Sequence, residues 1–244
     1  MKIIPIILLS SLSCTALADT TLSYTNGKET TMQMQFSGSK MRATSVNDNS
    51  SYMIYDADKI TFTTFSTKDK SYFVMDEESI KALGDVEAMV EKMLEKQLAD
   101  MPESQRAMMR NMMKGALKAQ MPKQMPKPEY SMTGKSKSYN GIDCEVVKKK
   151  SRRKKSEFCV TPYTKIGMPT SEYNVIKSFQ LIIEGLAQQY GEDRSMDFSV
   201  LGDFIPVYYK QAGEVGELNK VSHDKIDAAI FQIPAGFKKM DLPF

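Results

Sequence analysis

The stretch TLSYTNGKETTMQMQF, residues 21–36, decides the fold class that we expect for this chain. Polar and apolar residues alternate on both sides of Asn26-Gly27, the dipeptide most typical of a tight β-hairpin. In the second half of the stretch, this alternation places Met32, Met34 and Phe36 on one face and polar side chains on the other. The stretch therefore predicts an antiparallel hairpin with one apolar face.

Short strands continue along the chain beyond this hairpin. Four more are predicted within residues 41–75, and turn-rich segments separate them. Others follow residue 129, where Asn140-Gly141 marks a second hairpin. The last three predicted strands are residues 206–209, 216–222 and 228–232. This succession predicts a large antiparallel sheet with one buried face.

The pattern between the two groups of strands has the period of a helix. Residues 77–119 are rich in Glu, Lys, Met, Ala and Leu, and Pro102 suits the first turn of a second helix within them. We therefore expect a Met-rich helical insertion at about 77–128, which ends in a proline-rich linker. A further helix is predicted from Pro169 to about Tyr190.

Residues 1–18 have the pattern of a secretory signal peptide. Lys2 supplies a positive charge, a short apolar run follows, and Ala16-Leu17-Ala18 offers the small residues that signal peptidase recognises. The run is shorter than the about 20 residues that span a bilayer. We predict cleavage before Asp19 and a periplasmic or secreted protein without a transmembrane anchor. The remaining residues, 19–244, suffice for one core, so we expect a single α+β domain.

The cysteines fit an exported protein. Cys14 falls within the predicted signal peptide; its lipidation is an alternative, but Ser11 is a poor match to the aliphatic residue that a lipoprotein signal carries there. Cys144 and Cys159 then remain as a pair, which predicts a disulfide in an oxidising compartment. They are too far apart in sequence for a C-x-x-C redox motif.

Charge and motifs argue against two classes of function. The net charge of +3 gives no strong field for nucleic acid, which an exported protein is not expected to meet. His223 is the single histidine, and the sequence lacks the G-x-S-x-G, H-E-x-x-H and Walker-type motifs. We therefore predict neither an enzyme nor a cofactor.

Methionines of the insertion are the first candidate ligand contacts. They lie at helical spacing and comprise Met89, Met93, Met108, Met109, Met112 and Met113. Flexible thioether side chains suit an adaptable apolar binding surface, but they serve equally well as core packing. Thioethers also ligate Cu(I), which keeps copper handling as a third interpretation.

A basic run between the two cysteines is the second candidate. It consists of Lys148, Lys149, Lys150, Arg152, Arg153, Lys154 and Lys155. If Cys144 and Cys159 pair, the run forms the tip of a disulfide-closed hairpin. Each basic residue near an anionic lipid surface contributes about 1 kcal/mol, so the tip could contact a membrane surface. A solvated loop explains the same run.

The order of several short segments resembles the bacterial secreted domains grouped as domain of unknown function 4412. The matching segments are Lys40-Met41-Arg42, Met132-Thr133-Gly134-Lys135, Tyr139-Asn140-Gly141-Ile142-Asp143-Cys144 and Phe231-Gln232-Ile233-Pro234-Ala235-Gly236-Phe237. The resemblance implies a curved antiparallel sheet, or half-barrel, similar to the periplasmic lipoprotein carriers, with helices covering its concave face. It implies no enzymatic activity.

These observations favour a periplasmic binding or carrier-like protein for an apolar or amphipathic ligand, such as a lipid or a lipoprotein. A non-enzymatic interaction module of the cell envelope, with a solid core and no cavity, is the alternative. A cleft between the sheet and its covering helices would favour the carrier.

Overall fold

The computed structural model describes most of the chain beyond residue 18. The described residues are 19–46, 50–99, 101–120, 127–151, 155–190, 196, 198–211 and 213–242. Within them, 12 strands form one sheet, accompanied by four α-helices and two short 3-10 helices. The predicted signal peptide lies outside these residues, as does most of the predicted linker.

The first six strands form a meander in which each strand pairs with the next in antiparallel fashion. They are β1 (Thr20–Thr25), β2 (Thr30–Ser37), β3 (Lys40–Ser45), β4 (Ser51–Asp56), β5 (Thr61–Ser66) and β6 (Ser71–Met75). Asn26 and Gly27 build the predicted first turn: the Asn26 carboxamide oxygen accepts from the Lys28 N–H at 3.1 Å, and Gly27 adopts a φ of 90°. A left-handed φ of this kind favours glycine.

Three helices follow β6, where the sequence predicted two. They are α1 (Glu77–Gly84), α2 (Val86–Leu98) and α3 (Glu103–Gln120). Asp76 and Asp85 each cap a helix N-terminus by accepting a backbone N–H at 2.9 Å, so Asp85 ends one helix and starts the next. Helices α2 and α3 pack against each other around buried Leu94 and Leu98, and we call this unit the α2–α3 hairpin.

The second group of strands completes the sheet. It comprises β7 (Glu129–Tyr139), β8 (Ile142–Lys150), β9 (Lys155–Pro162), β10 (Phe204–Gln211), β11 (Glu214–Ser222) and β12 (Lys238–Lys239), with α4 (Thr170–Gln189) between β9 and β10. Strand β11 pairs with β1 and joins the two groups. The strand order is β12-β6-β5-β4-β3-β2-β1-β11-β10-β9-β8-β7, and only the β12–β6 pair is parallel. The prediction of a large, mostly antiparallel sheet with helices is confirmed.

Helix α4 packs against one face of this sheet. Tyr55 on β4 contacts it directly: its hydroxyl lies 2.6 Å from that of Ser178, and its ring centroid lies 5.7 Å from that of Phe179. Buried Leu22, Phe36 and Phe62 belong to the same core as the first half of α4. This face therefore carries the main core of the molecule.

The C-terminal segment covers part of the opposite face. Phe231 packs with Tyr52, Ile54 and Phe65, whose side chains alternate with those that face α4. The sequence predicted a strand over residues 228–232, and this was wrong: a 3-10 helix occupies Ala228–Phe231. The Asp227 carboxylate accepts from the Ala229 N–H at 2.9 Å, which starts the helix instead.

The predicted disulfide between Cys144 and Cys159 is present. It joins neighbouring strands β8 and β9, with the two Cα atoms 5.4 Å apart. Among the described residues, no helix combines the length and the hydropathy that crossing a membrane requires.

Candidate ligand-binding site

A cleft of about 210 Å³ lies between α4 and the sheet, and we call it the α4 cleft. Side chains of α4 and of strands from both groups line it: Tyr24, Met32, Met34, Met41, Ile176, Phe179, Gln180, Ile183, Glu184, Met196, Ile205, Pro206 and Tyr209. Most of these side chains are apolar. The cleft therefore offers a mainly apolar binding surface at the centre of the fold.

Helix α4 contributes one continuous stripe to the cleft. Ile176, Phe179 and Ile183 follow one another at spacings of three and four residues, so they project from the same side of the helix. Gln180 and Glu184 occupy the neighbouring positions and bring polar groups to the edge of the stripe. The helix thus supplies both an apolar wall and a polar rim.

The sheet supplies the opposite wall through the apolar face of its first strands. Met34 pairs with Leu22 across β1 and β2, and Met32 pairs with Tyr24, so all four side chains share one face. Methionine has three rotatable side-chain bonds and a polarizable sulfur, which lets it fill irregular gaps. Met41 and Met196 add two further thioethers to the lining. This wall can therefore adapt to ligands of different shapes.

Two tyrosines in the lining of the cleft are held in place by their contacts. The Tyr24 hydroxyl donates to the Pro206 carbonyl at 2.9 Å, and its ring centroid lies 6.1 Å from that of Tyr209. Burial raises the pKa of Tyr24, so this donor stays protonated. A Cβ at Gly216 would lie only 2.3 Å from the Tyr209 ring, so the glycine makes room for that ring. Gly216 therefore helps to define the shape of the cleft.

A buried carboxylate lies in the first turn of α4, outside the cleft lining. Glu172 is 2% exposed, and its Oε2 atom has no hydrogen-bond partner within the described part of the chain. Burial raises the pKa of this carboxyl group to about 7, and the nearby Asp19 acts in the same direction, whereas polar groups of Thr20 lower it. Glu172 is thus a titratable group in the core near neutral pH.

Four of the six methionines predicted as ligand contacts have described side chains, and these four lie outside the α4 cleft. Met109 and Met113 pack against Leu94 and Leu98 in the α2–α3 hairpin. Met108 and Met112, by contrast, are 75% and 64% exposed on the outer side of α3. The side chains of Met89 and Met93 lie outside the described ones. None of the four described methionines lines the α4 cleft.

Residues of the basic run on β8 alternate between exposed and buried positions. Lys148 and Lys150 are exposed on β8, and Lys150 Nζ lies 3.7 Å from Glu129 Oε2. Lys149 is 1% exposed, with its Nζ 5.9 Å from the centroid of the Tyr130 ring, so it does not join an exposed basic surface. Arg152, Arg153 and Lys154 lie outside the described residues, as does the side chain of Lys155.

The single histidine has a structural contact. His223 Nε2 donates to the Ile166 carbonyl at 3.0 Å, which ties the end of β11 to a 3-10 helix. Within the described ranges, no three His, Cys, Asp or Glu side chains cluster in a way that could hold a metal ion.

Comparisons with known proteins find no relative in sequence and only weak structural likeness. No protein-family model matches the chain, and no curated protein matches it in sequence. Two structures of PNGF-II, in the C2 and P21 space groups, align over 92% of the chain at 9% and 8% identity, with TM-scores of 0.40 and 0.42. The chain spans about a third of their length, since it covers 31% and 32% of those chains. At these TM-scores, the likeness carries no argument about the fold or the function.

Proposed function

We propose that the protein is a binding or carrier-like protein that holds the apolar part of a lipid or other amphipathic ligand in the α4 cleft. One observation carries the proposal: the cleft is open, its lining is mostly apolar, and four methionines contribute to it. Apolar clefts with a few polar groups at the rim are the usual form of small-molecule sites.

The volume of the cleft limits what fits inside it. At about 210 Å³, it exceeds an engineered cavity of about 150 Å³ that binds benzene. It is smaller than the roughly 300–1,000 Å³ of sites that enclose a drug-sized molecule. The bound group is therefore one acyl chain or one ring system, and the rest of the ligand lies outside the cleft.

We also infer that the sheet curves around α4 as a half-barrel, with the helix over its concave face. The main core supports this shape, because side chains of α4 share it with strands from both ends of the sheet order, Phe62 on β5 and Val147 on β8 among them. This inference agrees with the resemblance to domain of unknown function 4412, which stays a prediction.

We place the mature protein in the periplasm or outside the cell. The Cys144–Cys159 disulfide supports this location, since disulfides persist in oxidising compartments. The signal-peptide pattern of residues 1–18 supports it independently.

A second candidate function rests on the α2–α3 hairpin. Met108 and Met112 form an exposed apolar pair on α3, which suits contact with another protein of the envelope. In this interpretation the protein is an interaction module, and the α4 cleft is a packing defect without a ligand. Copper binding by these thioethers stays a prediction.

Two variants of α4 separate these interpretations. Ile183→Phe places a larger side chain in the cleft, whereas Leu181→Phe, at a position 52% exposed, adds similar bulk outside it. We expect Ile183→Phe to weaken binding of the apolar fluorophore N-phenyl-1-naphthylamine by roughly tenfold, or about 1.4 kcal/mol, because the larger ring takes up space that the fluorophore would fill. Leu181→Phe should bind like the parent. Equal affinities for all three proteins would contradict the assignment of the cleft.

A further inference from the structure

A second depression lies beside the α4 cleft. This depression, which we call the hairpin-end groove, lies where the β1–β2 and β10–β11 hairpins turn and has a volume of about 540 Å³. Met32 and Tyr209 line both spaces, so the two lie side by side. A ligand whose chain lies in the α4 cleft would therefore reach the groove by passing these two side chains.

The groove differs from the cleft in chemistry. Beyond the two shared residues, its lining mixes polar side chains with apolar ones. The polar side chains are Asn26, Thr31, Thr44, Ser45 and Glu214, and they lie beside Ala43, Gly213 and Val215. Hydroxyl and carboxamide groups can both donate and accept hydrogen bonds. The pair of spaces is thus amphipathic, because a mainly apolar cleft lies next to a groove with several polar side chains.

Charge narrows the class of ligand further. Glu214 is exposed at the groove. Burial raises the pKa of the Tyr209 hydroxyl, and the nearby Glu214 carboxylate raises it further. Glu184 provides a carboxylate at the rim of the cleft. Among the described residues, no lysine or arginine lines either space. An anionic head group would meet like charge there without a counter-ion.

We propose that the ligand is a single-chain amphiphile with an uncharged or cationic head group, whose chain occupies the α4 cleft and whose head group occupies the hairpin-end groove beside Glu214. The proposal rests on the proposed function, because it assumes that the α4 cleft takes the chain. The Glu214 carboxylate accepts hydrogen bonds from a hydroxyl, amide or ammonium head group, whereas Asn26 and Thr44 can donate to its oxygens. Lipids with a phosphate or free carboxylate as their only polar group should bind more weakly, because they would meet like charge.

Three probes with the same dodecyl-length chain test the proposal. They are dodecyltrimethylammonium, monododecanoylglycerol and dodecanoate, which carry cationic, neutral and anionic head groups. Each competes with N-phenyl-1-naphthylamine for the full-length mature protein, below its micellar concentration and at low salt. We expect the cationic and neutral probes to bind, and dodecanoate to bind at least about threefold more weakly, the size of one exposed charge interaction.

Variants of two glutamates on β11 provide the matched comparison. Glu214 faces the groove, whereas Glu217 pairs with Tyr208 on the opposite face of the same strand. Glu214→Gln should lower the affinity for the cationic probe by about threefold and raise the affinity for dodecanoate. The affinity for the neutral probe should stay unchanged. Glu217→Gln should leave all three affinities unchanged.

The possible failures are distinguishable. If no probe displaces the fluorophore and the fluorophore itself does not bind, the proposed function fails and this inference fails with it. If all three probes bind equally and Glu214→Gln changes none of them, the head-group assignment is wrong while the cleft still binds chains. If the affinities of the charged probes change in Glu184→Gln and not in Glu214→Gln, the head group lies at α4 and the assignment is likewise wrong.

Discussion

The α4 cleft and the α2–α3 hairpin are both rich in methionine, yet the structure uses the residue differently in each. In the cleft, Met32, Met34 and Met41 face α4 across a gap in the main core. On α3, Met108 and Met112 face solvent. The comparison teaches that the density of methionine along a sequence does not locate a binding surface. What faces each methionine in the fold decides its role: the sheet methionines face α4, whereas Met108 and Met112 face solvent.

Truncation of buried leucines should give the largest difference between the two regions. Leu22→Ala opens a hole in the main core beside the cleft, so we expect it to lower the free energy of unfolding of the whole domain by about 2–5 kcal/mol. Leu94→Ala affects the small core of the hairpin, where α2 and α3 pack mainly on each other. In Leu94→Ala, amide hydrogen exchange should therefore become faster only within the α2–α3 hairpin. Faster exchange throughout the sheet in Leu94→Ala would contradict this separation.

Loss of the disulfide should have the next largest effect. Cys144 and Cys159 are separated by 15 residues, and closing a loop of that length stabilises the folded state by about 3 kcal/mol on the chain-entropy model. The double variant Cys144→Ala/Cys159→Ala should lower the denaturation midpoint without changing affinity for an apolar probe, since neither cysteine lines the cleft. Intact mass of the parent after alkylation without reductant should reveal no free thiol. Two alkylated cysteines would contradict the pairing.

Glu172 should make the stability of the folded protein depend on pH. Because its pKa is raised from 4.5 to about 7, the folded state holds a proton that the unfolded state releases between these values. The stabilisation is therefore fully present below about pH 4.5 and is lost as the pH rises to 7, an effect of up to about 3 kcal/mol. Glu172→Gln should remove this slope in denaturation curves between pH 4 and about 8. Exposed Glu78→Gln serves as the control, and an unchanged slope in Glu172→Gln would refute the assignment.

Replacement of the hairpin methionines should have the smallest effect. Leucine and methionine have similar volumes, and Met108 and Met112 are exposed, so changing Met108, Met109, Met112 and Met113 to leucine should cost less than about 1.5 kcal/mol in total. Affinity for an apolar probe should stay the same, because none of the four lines the cleft. Competition for Cu(I) under reducing conditions decides the remaining alternative. Tight binding by the parent that disappears in this variant would establish copper handling instead.

Much of the fold could be predicted because its signals are local. Alternation and Asn-Gly turns marked the strands and two hairpins, and apolar spacing marked α4. The strand predicted at 228–232 was wrong because a short apolar run fits a strand as well as a 3-10 helix. The pairing of Thr21 with Ser222 joins residues about two hundred positions apart, and no local pattern specifies such a partner.

The candidate site could be predicted only in part. The apolar face that carries Met32 and Met34 was visible in the sequence, as was the apolar stripe of α4. These two surfaces come together because the chain after β9 folds back and lays α4 over β3. The space left between them depends on details of packing, such as the room that Gly216 gives to Tyr209. Alternation patterns carry no information about such gaps.

Methionine methyl resonances offer the most direct test of the central claim, that the α4 cleft and not the α2–α3 hairpin binds the apolar ligand. The protein is labelled at its methionine methyl groups, each resonance is assigned by substitution, and monododecanoylglycerol is added below its micellar concentration. We predict shifts at Met32, Met34, Met41 and Met196, which line the cleft, with no change at Met108 and Met112. Shifts at Met108 and Met112 with unchanged cleft resonances would contradict the account and move the binding surface to the hairpin.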